Sequence, residues 1–191
     1  MLQGRQQALR GRVDWSYERL GEHEQTLLKR LAVFAGGFDL DAAEKVCGFE
    51  PIEDFEVLDL LGSLVDKSLV MHDEHEDRSR YRMLETIRDY ARQKLDNDGQ
   101  TQSVAQRHCE HFFALAKFVR QGVEGPEQAD CLRRMETELD NVRSAMALAL
   151  SGAIDPVLSV KFSVAMLAFW VLRNYATEGR RLVKTALALP E

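Results

Sequence analysis

At 191 residues, with 45% hydrophobic and 29% charged side chains, the chain is long enough to bury one or two cores. A formal charge of −6 and an isoelectric point near 5.5 argue against a general affinity for nucleic acid or anionic membrane. Cys47, Cys109 and Cys131 are odd in number and form no CxxC pair, which argues against both a disulfide framework and a zinc site.

Residues 1–21 are basic, are broken by Gly4, Gly11 and Gly21, and predict one short helix around 14–20. They contain Arg5, Arg10 and Arg12 but no apolar run, so they do not read as a signal peptide, and the longest apolar stretch, 164–172, is too short to span a bilayer. A cytoplasmic protein is the expectation. From Glu22, the residues Leu27, Leu28, Leu31, Ala32 and Ala35 share one helical face until Gly36-Gly37. Asp39 then offers an N-cap to a helix whose Leu40, Ala43, Val46 and Cys47 align before Gly48. After Pro51, a third helix places Val57, Leu58, Leu61, Leu64 and Val65 in a core-facing stripe. Residues 69–71 and 81–83 are strand formers separated by the polar run 72–80, which predicts a hairpin with a solvated tip. Leu84, Ile87, Ala91 and Leu95 space a closing helix that ends at Gly99. Three helices, a hairpin and a fourth helix are the order of a winged helix-turn-helix, assigned here to 22–99.

The remainder, 100–191, reads as all helical, so the fold class is mostly α. Phe112, Leu115, Ala116 and Val119 mark one helix, broken from Gly122 to Pro126. Leu132, Met135, Leu139, Val142, Met146 and Ala149 keep a 3-4 spacing and predict a single long helix. Pro156 suits the first turn of another helix bearing Val160, Val164, Leu167 and Val171, and Leu182, Ala186 and Leu189 mark the last. Trp170, Tyr175, Gly179 and the small–large alternation at 186–189 resemble a tetratricopeptide-type helical hairpin, in which Phe112, Leu115, Trp170 and Tyr175 would be packing residues. Such hairpins are stabilised by stacking on neighbours, so the expectation is the start of a longer array in a longer protein.

Motifs for chemistry are sparse. Gly36-Gly37 follows a helix and has no Lys-Ser/Thr sequel, so it is a helix-stopping turn and not a phosphate-binding loop. The run His72, Asp73, Glu74, His75, Glu76 and Asp77 matches neither a zinc helix nor a calcium loop, and His108 and His111 lack partner ligands. Cys47 sits on an apolar face, as a core residue does. The helix 53–66, placed where a winged helix meets DNA, carries Glu53, Asp54, Glu56, Asp59 and Asp66 and no cation before Lys67. Readers of DNA gain most of their affinity from basic contacts to phosphate, so direct DNA binding is not expected of this face.

Three segments, RLAVFAGGFDLDAAEKVC (30–47), VLDLLGSLVDKSLV (57–70) and YRMLETIRDYARQKL (81–95), resemble the region that follows the nucleotide-binding module in bacterial STAND-class signal-transduction ATPases, relatives of the NB-ARC proteins. The segment METELDNVRSAMALAL (135–150) and the one at 169–189 resemble the first repeats of their helical sensor region. The resemblance implies a non-catalytic regulatory module whose winged helix packs on an upstream nucleotide-binding domain, in the same polypeptide or a partner, and whose repeats sense an unknown ligand or protein. ATP or ADP would be expected only on that other module. Met83-Leu84-Glu85 would stand where NB-ARC relatives carry Met-His-Asp, which puts Met83, Leu84, Glu85, Thr86 and Arg88 on the ATPase-facing side, with Leu84 in place of the histidine. The alternative is a DNA-binding winged-helix transcriptional regulator with a helical effector domain.

Overall fold

The computed structural model describes residues 11–75, 78–151 and 156–188, the side chains of residues 75 and 78 excepted. The chain divides into two compact units between Val104 and Ala105.

The first unit opens with α1 (11–18), whose Tyr17 packs edge-on against Tyr90 at 5.5 Å between ring centres. α2 (Glu22–Leu31) buries Leu27, Leu28 and Leu31 and ends earlier than the sequence suggests. The chain leaves the helix at Ala32, so Ala35 is exposed rather than part of the apolar face. α3 (Leu40–Cys47) starts at Asp39, whose carboxylate accepts the Ala42 amide at 2.8 Å, and buries Ala42, Ala43, Val46 and Cys47. A 3-10 turn (Asp54–Glu56) leads into α4 (Val57–Asp66), and α5 (Glu85–Asn97) closes the unit against α2.

Arg30 holds the α3–α4 connection in place from inside the core. Fully buried, it donates to the carbonyls of Cys47 at 2.9 Å, Phe49 at 2.5 Å and Glu50 at 2.7 Å, with its guanidinium 3.5 Å from the Phe49 ring centre. A planar fork of donors suits this task, because it reaches three carbonyls at once; those of Cys47 and Phe49 also accept the amides of Phe49 at 3.1 Å and Ile52 at 3.0 Å, so the turn is held from both sides.

The wing is longer than the sequence indicates. β1 (Met71–His75) pairs antiparallel with β2 (Arg78–Arg82), in the register His72↔Tyr81 and Asp73↔Arg80. Most of the polar run is therefore strand and not tip, while residues 76 and 77 lie outside the described residues. Two side-chain pairs cross the ladder. Arg82 Nε reaches Asp73 Oδ2 at 2.6 Å, and the His72 ring stacks on Tyr81 at 4.8 Å. Phe38 adds a single antiparallel bridge to Tyr81, with the amides exchanged at 2.9 and 2.8 Å.

The second unit takes in most of α6 (Thr101–Gly122), then α7 (Gln128–Thr137), α8 (Leu139–Ala149), α9 (Pro156–Leu172) and α10 (Ala176–Ala186). The single long helix expected over 132–149 is two, hinged at Glu138, whose carboxylate accepts the Asn141 amide at 2.9 Å instead of facing solvent. α9 also corrects the sequence reading. The stripe Val160, Val164, Leu167 and Val171 is not the core face, for Leu167 and Val171 are exposed. Ser159, Phe162, Ser163, Ala165, Met166, Phe169 and Trp170 are buried instead. Trp170 and Tyr175 meet edge-on at 6.0 Å, and Gly179 of α10 lies so close to the indole that an added Cβ would stand 2.7 Å from Trp170 Cδ1. Leu182 and Ala186 are buried on α10, while Leu189 lies outside the described residues.

Candidate interaction surface of the winged helix

α4 is entered through Glu53, whose amide donates to Glu56 Oε2 at 2.9 Å and fixes the 3-10 turn. Its inner face is Val57, Leu61 and Leu64, all fully buried. The outer face runs through positions 55, 58, 59, 62 and 66, spaced at 3, 1, 3 and 4, which keeps them on one helical stripe. Phe55 is 76% exposed and Leu58 50%, so Leu58 belongs to this outer face and not to the core stripe expected from sequence. Asp59 and Asp66 are exposed on the same stripe, and Glu53 and Asp54 are exposed at its N-terminal end. Gly62 lies at its centre, and a Cβ built there would meet nothing within 4 Å.

The nearest cation, Lys67, is already engaged. Glu24 of α2 takes hydrogen bonds from Lys67 Nζ, Ser63 Oγ and, at 2.7 Å, the Gly21 amide. Burial pushes the Glu24 carboxyl up, but these bonds, that of Lys67 foremost, outweigh it and hold the group below the usual carboxylate range. On the wing, Arg80 donates to the Gly37 carbonyl at 2.8 Å and Arg82 pairs with Asp73. The outer face of α4 therefore presents apolar and anionic groups.

The residues expected to face an ATPase divide. Met83 and Arg88 line a pocket of about 170 Å³ with Leu31, Phe34, Gly37 and Phe38, and Arg88 Nη1 donates to the Ala35 carbonyl at 2.7 Å. Leu84, Glu85 and Thr86 are exposed at the start of α5 and do not line it. In the second unit Phe112 and Trp170 are fully buried, Leu115 is buried and Tyr175 half-buried. Among the described residues no group of three or more His, Cys, Asp or Glu is placed to hold a metal, and no helix is long and apolar enough to cross a membrane. Burial pushes the Cys109 thiol up to about 11, with Glu110 adding to the effect, so it is a poor nucleophile at neutral pH.

Sequence reasoning missed Phe55, Gly62 and the outward face of Leu58. A signal was present: a glycine inside a helix costs roughly 0.5–1 kcal/mol relative to alanine and asks for a reason.

Residues 20–96 match the family model described as "Winged helix-turn-helix domain". The chain is 42% identical over 176 residues, 92% of its length, to a candidate HTH-type transcriptional regulator of Mycobacterium bovis and equally to one of Mycobacterium tuberculosis. It is 40% identical over 121 residues, 63% of its length, to an uncharacterised protein of M. bovis. It spans only 20% of the length of the two regulators and 31% of the third protein. With three helices, a two-stranded wing and a closing helix in the order of the matched family, residues 20–96 are a winged helix-turn-helix domain.

Proposed function

We propose that this chain is a non-catalytic regulatory segment of a larger transcriptional regulator, and that its winged helix acts through protein contacts, with the helical unit as the effector or sensing part. The regulatory role is supported by the winged helix-turn-helix match and by the likeness to candidate HTH-type regulators. One observation carries the protein-contact form: the outer face of α4, where a winged helix meets DNA, offers Phe55, Leu58, Asp59 and Asp66 and no cation. In its finer form, with a STAND-type nucleotide-binding module as the contact and Met83 to Arg88 beside it, the reading rests on sequence resemblance.

Direct DNA binding is the second reading. It is favoured by the family match itself and by the names of the relatives. Titration of duplex genomic fragments at low salt separates the two. The protein-contact reading expects weak retention without sequence preference, and tight, sequence-selective, salt-dependent retention would overturn it in favour of DNA.

A further inference from the structure

We infer that the outer face of α4 is a docking surface for a cationic amphipathic helix of a protein partner. The inference rests on the protein-contact reading and names the partner's chemistry.

Three features of the face converge. Phe55 and Leu58 put an aromatic ring and a branched aliphatic side by side in solvent, the kind of pair that serves as a buried anchor in an interface. Exposed carboxylates lie along the same face, Glu53 and Asp54 at its start, Asp59 next to Leu58 and Asp66 two turns beyond it. Asp59 and Asp66 make no hydrogen bond or ion pair with the described residues, and so are available to an incoming charge. Gly62 supplies the third feature. Among the described residues no side chain lies within 4 Å of where its Cβ would be, so the packing around it does not need a glycine there. A helix backbone laid across the face does, because a missing side chain is what allows close approach. The spacing 55, 58, 62 is that of a helix presenting anchors to another helix, and carboxylates spaced along an apolar face are complementary to Lys or Arg flanking an apolar stripe. Duplex DNA and anionic membrane offer the wrong charge, and an acidic helix would be repelled.

The test uses the full chain and a fluorescein-labelled synthetic helix of Leu and Lys in 3-4 spacing, read by anisotropy. Controls are a scrambled peptide of the same composition, a Leu–Glu counterpart and a labelled DNA duplex. The Leu–Lys helix is expected to bind and to weaken as salt rises. Phe55→Ala and Leu58→Ser should each weaken it by about tenfold or more, and the scrambled and acidic peptides should bind far less. Gly62→Ala is the sharpest variant: it should raise the melting temperature by a few degrees, as a helix-interior glycine replacement does, and yet weaken the peptide. Equal binding by the scrambled peptide, or binding indifferent to Phe55→Ala and Gly62→Ala, overturns the inference while leaving the protein-contact reading standing. Selective retention of DNA that is lost in Phe55→Ala overturns both.

Discussion

The two units are stabilised in different ways. The winged helix is organised by buried or half-buried polar groups that tie distant backbone together. Arg30 gathers three carbonyls, Asp39 caps α3, and Glu24 collects Lys67, Ser63 and the Gly21 amide. The helical unit buries polar groups as well, but the bonds from Asn141 to Glu138, from Ser159 to the Ala149 carbonyl and from Ser163 to the Ser159 carbonyl join near neighbours in sequence. There α9 meets α10 by shape, with Trp170 filling the space that Gly179 leaves and Phe162, Met166 and Phe169 buried along the same side of α9. A hydrogen-bonded hub fixes which loops meet, and its loss is felt as unsatisfied groups. A steric fit fixes how close two helices come, and its loss is felt as overlap or void.

The largest test of this contrast is Arg30→Ala, expected to destabilise the first unit by about 3–4 kcal/mol because it removes the hydrogen bonds to three carbonyls and the contact with the Phe49 ring and opens a cavity in the core. Urea unfolding followed by hydrogen exchange at amides of α2 to α5 would measure it, and a loss under about 1 kcal/mol would remove the hub from the account. Gly179→Ala comes next, with about 2–3 kcal/mol lost from the second unit through overpacking against Trp170. Fluorescence reads it directly in a Trp15→Phe background, where buried Trp170 is the sole indole, and an unshifted transition would mean that α10 can slide away without cost. Asp39→Ala should cost roughly 1 kcal/mol of the first unit's stability, with Asp39→Asn recovering most of it.

The smallest effect concerns acid. Arg143 donates to both carboxylate oxygens of Glu178, at 2.9 and 2.8 Å, and this fork holds the Glu178 pKa below its ordinary value. A depressed carboxyl stabilises the fold above its unfolded value of about 4.3, and that contribution fades as pH falls through the lower folded value. Glu178→Gln should therefore flatten the acid limb of the Trp170 transition below about pH 4.3. An unchanged limb would show that solvent screens the half-exposed Arg143 too well for the pair to matter.

Element order and several boundaries could be read from the residues because local chemistry sets them. Asp39 at a helix start and Gly99, which adopts φ +71°, are of that kind. Burial was harder to read. α9 is apolar on nearly every side, so its periodicity has no phase, and Val160, Val164, Leu167 and Val171 repeat as regularly as Phe162, Met166 and Phe169. The buried place of Arg30 is not legible in the residues because charged side chains ordinarily lie outside, and only the geometry of the Cys47–Glu50 carbonyls shows why one belongs within. The length of the wing is hidden for the same reason: a polar run has the composition of a loop, whereas Asp73 and Arg82 pair across two strands through their charges. The outer face of α4 was obscured by Leu58, which fits an apolar stripe by spacing yet faces solvent.

The three cysteines are all free and buried, Cys47 in the winged helix and Cys109 and Cys131 in the helical unit. In the folded protein they are shielded from alkylating reagents, so the rate at which each is modified becomes a clock for the opening of its own unit. It also leaves the native surface silent toward thiol reagents. One cysteine introduced at an exposed position would accept a dye or spin label selectively, and the same molecule would report internally, through Cys47 against Cys109 and Cys131, which half had opened.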